Sequence, residues 1–345
     1  MSCGQHHATC APTFATFTET ASLKAPARSP EVDACSLPVR GEQGLLLVPA
    51  DLCLYETRPG WQPRGEHSCE VTATQVHRYG LCPAFAAATV LPGAPRQPRR
   101  VGSEDDEFAR NLGTAAHLLI QGANQRLIGA RTVDLNDLLD AHWNSSLFVR
   151  DRRQAARELC GQFLWEYLHY LQSERLQVLA AERDVWATGV LHDGGGAPPL
   201  RFTLKGRIDC LVRRGEAVVA LDVKTARLLP TRAELAADPA SMVYYLLATR
   251  YLTVRGDPSR VLIGQLGLRR GAAVEVELNA SDIGAGKAIL RSLVLALHDR
   301  DAYATTPGVH CSYCPLNRDC PCSPLRPGGA TGDVWVDGDE DSIVI

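Results

Sequence analysis

The stretch Leu204–Ala226, LKGRIDCLVRRGEAVVALDVKTA, constrains this chain more than any other. Its two apolar runs flank the turn-forming RRGE at 213–216, which is the pattern of an antiparallel β-hairpin. Yet Asp209, Asp222 and Lys224 interrupt those runs. Charged side chains there are costly to bury unless they are paired, bound to metal or put to use. Side chains alternate along a strand, so Asp222 and Lys224 share a face and Val223 points the other way. The turn brings Asp209 back towards Asp222. Two neighbouring carboxylates repel, and hard oxygen ligands of this kind suit Mg²⁺ or Mn²⁺. A lysine two residues on can orient an attacking water or neutralise developing negative charge. Together these groups fit metal-assisted phosphodiester hydrolysis. Read alone, Asp222-Val223-Lys224 is an ordinary same-face ion pair on an exposed strand; the upstream GRID and the apolar AVVAL favour the functional reading.

Around this hairpin the chain alternates helix and strand patterns, which predicts an α/β architecture with helices covering a central mixed sheet. Helices are expected over 72–91, with Thr72 or Thr74 as cap and a break after Cys82 at Pro83. Further helices are expected over 107–127, 149–176, 240–254 and 281–305, the last capped by Ser281. Strands are expected within 44–57, over 178–191, and as a pair over 259–278 around Arg270-Gly271. Residues 1–40 lack periodicity and read as a disordered segment, 41–71 as a short β elaboration, 72–323 as the main domain, and 324–345 as a flexible acidic tail.

The 345 residues include 45% hydrophobic and 22% charged side chains, ordinary for a soluble globular protein. No apolar run reaches the roughly 20 residues of a membrane span, and the first residues lack the form of a secretory signal. A cytoplasmic protein without membrane partner is therefore expected. The net charge of −3 gives no global attraction for nucleic acid, so any such contact must be local. Arg96, Arg99 and Arg100, Arg213 and Arg214, and Arg269 and Arg270 are candidate phosphate contacts, or solvated loop residues.

Twelve cysteines are many for a cytoplasmic chain, where disulfides are rare and metal ligation is the reading to test. Cys311, Cys314 and Cys320 form a C-x₂-C-x₅-C run with Cys322 just beyond. Such thiolates suit zinc or an iron–sulfur cluster, with Cys322 as the local fourth ligand.

The ordered set GRID, LDVKTA, an upstream GTAAH and the cysteine run resembles the PD-(D/E)XK nuclease superfamily. The likeness is to its RecB-like branch, which includes AddB-type nuclease domains and the iron–sulfur exonucleases of CRISPR adaptation. The resemblance covers about residues 72–323. It implies a restriction-endonuclease-like core and a Mg²⁺- or Mn²⁺-dependent DNA exonuclease acting on single-stranded or free ends. By resemblance, Asp209 and Asp222 are metal-binding acids, the Val223 carbonyl a further ligand, and Lys224 the catalytic lysine. His117 of GTAAH is a further metal ligand, and Glu182 an accessory acid. Tyr245 matches the tyrosine of a Gln-x-x-x-Tyr helix, although Ser241 stands where the glutamine would be. Cys82, in the Cys-Pro of HRYGLCPAF, joins Cys311, Cys314 and Cys320 around a [4Fe–4S] cluster that staples the ends of the domain. Zn²⁺ on Cys311, Cys314, Cys320 and Cys322 is the alternative. No G-x-x-x-x-G-K-[ST] loop is present, so unwinding would need a helicase or recombination partner in a repair setting. A catalytically inactive DNA-binding or scaffolding subunit is the competing reading.

Overall fold

The structure of the protein, a computed structural model, describes residues 52–55, 68–92, 94, 104–191, 200–299, 303–317, 320 and 322. The expected N-terminal segment 1–40, Arg96, Arg99 and Arg100, the turn at 192–199 and the tail 324–345 lie outside the described residues.

Strand β1 (Leu52–Tyr55) pairs antiparallel with β3 (Gln177–Leu191), β3 with β4 (Leu200–Arg214), and β4 with β5 (Ala217–Lys224). β5 runs parallel to β6 (Arg260–Gly267), and β7 (Ala272–Val276) pairs antiparallel with β6. β2 (Ser68–Thr72) pairs parallel with β4, completing a seven-stranded mixed sheet. The opening hairpin is thus β4–β5, turning at Gly215 with φ 57°, a conformation that glycine adopts at little cost.

β4 is the pivot of the sheet. β3 pairs with one edge of it from Leu200 to Arg213. The other edge is shared between β2, which takes Arg201–Lys205, and β5, which takes Cys210–Arg214. Residues 206–209 between them have no strand partner on that edge. The hairpin's first acid, Asp209, lies at the end of this gap.

Helices cover both faces. α1 (Ala73–Leu81), α7 (Pro239–Thr253) and α8 (Ala280–Asp299) pack one core, in which Val76, Leu247 and Leu290 meet Leu204, Val218 and Ile263. α3 (Glu104–Ile128), α4 (Leu135–His142) and α5 (Arg153–Ser173) pack the other, where Leu119, Leu138 and Phe163 meet Val212, Val219 and Leu266. The short α6 (Arg232–Ala237) and α7 form the crossover that parallel pairing of β5 with β6 requires.

Local chemistry explains the boundaries that position the site. Thr72 closes a capping box with Gln75: Gln75 N donates to Thr72 Oγ1 at 3.2 Å and Thr72 N to Gln75 Oε1 at 2.8 Å. α1 stops at Cys82, which is extended because a proline follows. Pro83 then begins α2 (Pro83–Thr89) at a position where its missing N–H costs nothing. The expected break therefore falls on Cys82 itself. The last helix is capped by Asn279 rather than Ser281: Asn279 Oδ1 accepts from Ser281 N at 2.8 Å and Asp282 N at 3.0 Å. It ends at Asp299, short of 305, and α5 begins at Arg153 after a 3₁₀ turn over Arg150–Arg152. Among the described residues, no helix is long and apolar enough to cross a membrane.

Candidate active site

Glu182 sits opposite Asp209. The pairs Ala181↔Cys210 and Arg183↔Ile208 bracket the two acids, and a register shift at Leu179 sets this phase. Glu182 itself has φ 45°, a left-handed conformation that costs a non-glycine residue about 1–2 kcal/mol. His117 arrives on α3 from the other helical layer. Its Nδ1 lies 3.5 Å from Glu182 Oε1 and 3.8 Å from Asp209 Oδ2. Donor atoms of His117, Glu182 and Asp209 all fall within 4.8 Å of one another, and they form the one such group of three among the described residues. An imidazole and two carboxylates at this spacing can share a divalent cation.

Asp222 follows Leu221, the last β5 residue paired with β4, and is the next position across from Asp209. Val223 N donates to Asp209 Oδ2 at 3.0 Å, so the carboxylate occupies a place the sheet ladder leaves free. Lys224 Nζ stands 2.9 Å from Asp222 Oδ2, on the face the strand alternation predicts. Gly113 lets α3 pass close to the end of β5: a Cβ there would stand 3.4 Å from Thr225 Oγ1.

Charge is strongly coupled in this group. Burial pushes the Asp209 carboxyl up to about 7, and the neighbouring Asp222 charge adds to the effect. The Glu182 contact raises His117, against the opposing effect of burial. Burial would raise Glu182, but His117 and Arg207 outweigh it and its pKa is lowered. Arg207 Nε lies 2.7 Å from Glu182 Oε2, a contact for which the sequence offered only the Arg of GRID as a signal. Burial opposes the Lys224 charge, yet Asp222 holds its pKa above the ordinary value.

Asp209, Asp222 and Lys224 line a cavity that opens at the 206–209 gap and is walled by α1 and the start of α7. Ser241 and Tyr244 line it too. Burial and the charges of Asp222 and Asp209 raise the Tyr244 pKa. Tyr245, the residue matched from sequence, packs at the fringe of the α1/α7/α8 core instead and is not among the lining residues. A helix turns 100° per residue, so a one-residue difference in phase decides which tyrosine faces the acids.

Beneath the acids, Tyr167 of α5 links three elements. Its hydroxyl donates to Asn124 Oδ1 of α3 at 2.7 Å and lies 3.2 Å from Cys210 Sγ of β4. All three side chains are fully buried.

Cys82, Cys311, Cys314 and Cys320 line one small cavity with Phe85, His310 and Leu316. Thr306 N donates to Cys82 Sγ at 3.4 Å. All four thiols are unpaired. Cys322 does not line this cavity; its sulfur lies 3.1 Å from Thr305 Oγ1. Among the described residues no three cysteine sulfurs lie within 4.8 Å of one another.

The model of the PD-(D/E)XK nuclease superfamily matches residues 70–321, from β2 through the cysteine run. No curated protein matches the chain. Among solved structures, the crystal structure of SSO0001 aligns at 11% identity over 76% of this chain and 89% of its own, with a TM-score of 0.33. That score is too low to carry an argument. The family match takes in the acids, the lysine, His117 and the four clustered cysteines, and the mixed sheet between two helical layers has the restriction-endonuclease-like α/β form. The chain belongs to the PD-(D/E)XK nuclease superfamily.

Proposed function

We propose that the protein is a Mg²⁺- or Mn²⁺-dependent deoxyribonuclease. The observation that carries this reading is the His117–Glu182–Asp209 group, whose Asp209 lines one cavity with the Asp222–Lys224 pair. The residues fit a hard divalent cation: carboxylates supply oxygen, and burial, with the neighbouring Asp222 charge added, raises the Asp209 pKa, a cost that a bound cation would offset. His117, Glu182, Asp209 and Asp222 would hold the cation, with the Val223 carbonyl as a further ligand carried over from the family resemblance. When bound, the cation polarises the phosphate and acidifies a water. Asp209 and Asp222 fix the position of that centre from two adjacent strands. Lys224, held cationic by Asp222, orients the water and offsets charge on the phosphate. Arg207 keeps Glu182 ionised and pointed at His117.

Exonucleolytic cutting of single-stranded or free ends, and work beside a helicase in repair or recombination, rest on the RecB-like resemblance alone. A [4Fe–4S] cluster on Cys82, Cys311, Cys314 and Cys320 comes from the same resemblance. Two features favour this set over zinc on the C-terminal run alone: the four residues share a cavity, and Cys322 stands apart from it.

The test is cleavage of end-labelled single- and double-stranded DNA in Mn²⁺, comparing wild type with Asp222→Ala and Lys224→Ala. Cutting by wild type and its loss by at least about 100-fold in both variants is expected. A wild type that binds DNA but cuts none would establish the scaffolding reading instead.

A further inference from the structure

Four basic side chains line the cavity that holds Asp209 and Asp222: His77, Arg78, Arg207 and Lys224. Three are engaged by carboxylates. Lys224 pairs with Asp222, Arg207 with Glu182, and His77 Nδ1 with Asp238 Oδ1 at 2.8 Å. Arg78 has no carboxylate partner among the described residues. Its guanidinium lies over the Phe85 ring, 5.4 Å from the centroid. Phe85 is clamped in turn: it stacks on His310 at 5.5 Å and meets Tyr313 edge-on at 5.7 Å. The ring also walls the cysteine cavity, so it is packed from both sides.

An arginine stacked on a fixed aromatic ring keeps its in-plane donors available, and its rigid fork matches phosphate geometry. The stacking sets its orientation before any ligand arrives, which lowers the ordering cost of binding. Asp209, Asp222 and Lys224 face this cavity from β4 and β5. Arg78 faces the same space from α1. A DNA strand with one phosphate at the acids carries others on either side. The geometry points to Arg78 as a substrate-binding residue that grips a backbone phosphate flanking the scissile one. This assignment rests on the nuclease reading and names how its substrate is held.

The experiment uses the full chain with its cysteine site loaded. Oligonucleotide binding is followed by fluorescence anisotropy in Ca²⁺, and cutting in Mn²⁺. Arg78→Gln is expected to weaken binding by about 10-fold and to lower the slope of log affinity against log salt by about 1. Mn²⁺ affinity stays at the wild-type value, and Arg78→Lys recovers part of the salt slope. One uncharged methylphosphonate linkage, walked along the strand, is expected to weaken wild type by the same factor at one flanking position. At that position it costs Arg78→Gln nothing further. Unchanged affinity and slope in Arg78→Gln overturn the assignment. So does a neutral linkage that costs the variant as much as wild type at every position, or a loss of Mn²⁺ affinity, which would make Arg78 structural. If wild type shows the Arg78-dependent slope in Ca²⁺ yet cuts nothing in Mn²⁺, the phosphate assignment stands and the nuclease reading falls.

Discussion

Glu182 has a positive φ inside β3, and among the described residues it is the one non-glycine residue in a strand to do so. Strain of this kind persists where surrounding contacts over-determine it. Here His117 and Arg207 hold the carboxylate from two sides. Its place in the metal group predicts that Glu182→Gln weakens Mn²⁺ binding by about 10–100-fold, read by calorimetric titration. Wild-type affinity in that variant would remove Glu182 from the ligand set. Protons compete for the same atoms. Asp209 rises from 3.8 to about 7, and His117 rises above 6.5. Both folded-state values lie above the unfolded ones, so their stabilisation is complete at low pH and is lost as pH rises through the folded values. Between about pH 4 and 7, Asp209 therefore makes the metal-free protein less stable as pH increases, and His117 continues that trend above 6.5. Glu182, with its lowered pKa, acts in the opposite sense below 4.5. Metal needs these groups deprotonated, so Mn²⁺ affinity should fall as pH drops through about 7, with proton release on binding. Calorimetry in buffers of different ionisation enthalpy reads that release; none at pH 6.5 would contradict the coupling.

At the scale of elements, the site exists because β2 and β5 part company on the edge of β4. The gap at 206–209 leaves room for a carboxylate beside the sheet, and there Asp209 accepts the Val223 N–H of β5. Tyr167 holds the surrounding pieces together, tying α5 to the His117 helix and to the residue after Asp209. Tyr167→Phe should cost about 1–3 kcal/mol in urea unfolding, because Asn124 and Cys210 lose a buried partner. A neutral substitution would show that water replaces the hydroxyl there. The hairpin was legible in sequence because two-residue periodicity, a glycine turn and charges inside apolar runs are all local signals. The resemblance named His117 and Cys82, and the fold brings the first beside Asp209 and the second into one cavity with the cysteine run. The short α4 and α6 were missed, since segments of six to eight residues carry little periodicity and form by tertiary packing. The role of Arg207 and the choice of Tyr244 over Tyr245 depend on register and helix phase, which only the assembled fold sets.

Across the whole molecule, the cysteine cavity joins the kink after α1 to the segment after α8. Cys82 and Cys311 are far apart in sequence, so the proposed shared metal centre would close a long loop and restrict the unfolded chain. Cys82→Ser should release the bound metal and lower the thermal midpoint by several degrees, followed by metal analysis and calorimetry. Purified wild type that is brown, with absorbance near 400 nm, supports the iron–sulfur reading; colourless protein carrying zinc contradicts it. The two cavities share Phe85, which places this ring between the acids and the cysteines. On the proposed reading the chain carries two separate sites, carboxylates at the β4 gap and cysteines at the α1 kink.

If the β4–β5 hairpin and His117 form a working metal nuclease, Mn²⁺-dependent cutting of end-labelled DNA separates wild type from Asp222→Ala and Lys224→Ala, with Mn²⁺ binding measured on the same preparations. Cutting by wild type alone is expected, with Mn²⁺ binding weakened in Asp222→Ala and kept in Lys224→Ala. Equal cutting by all three proteins, or none by folded and metal-bound wild type, would contradict this reading.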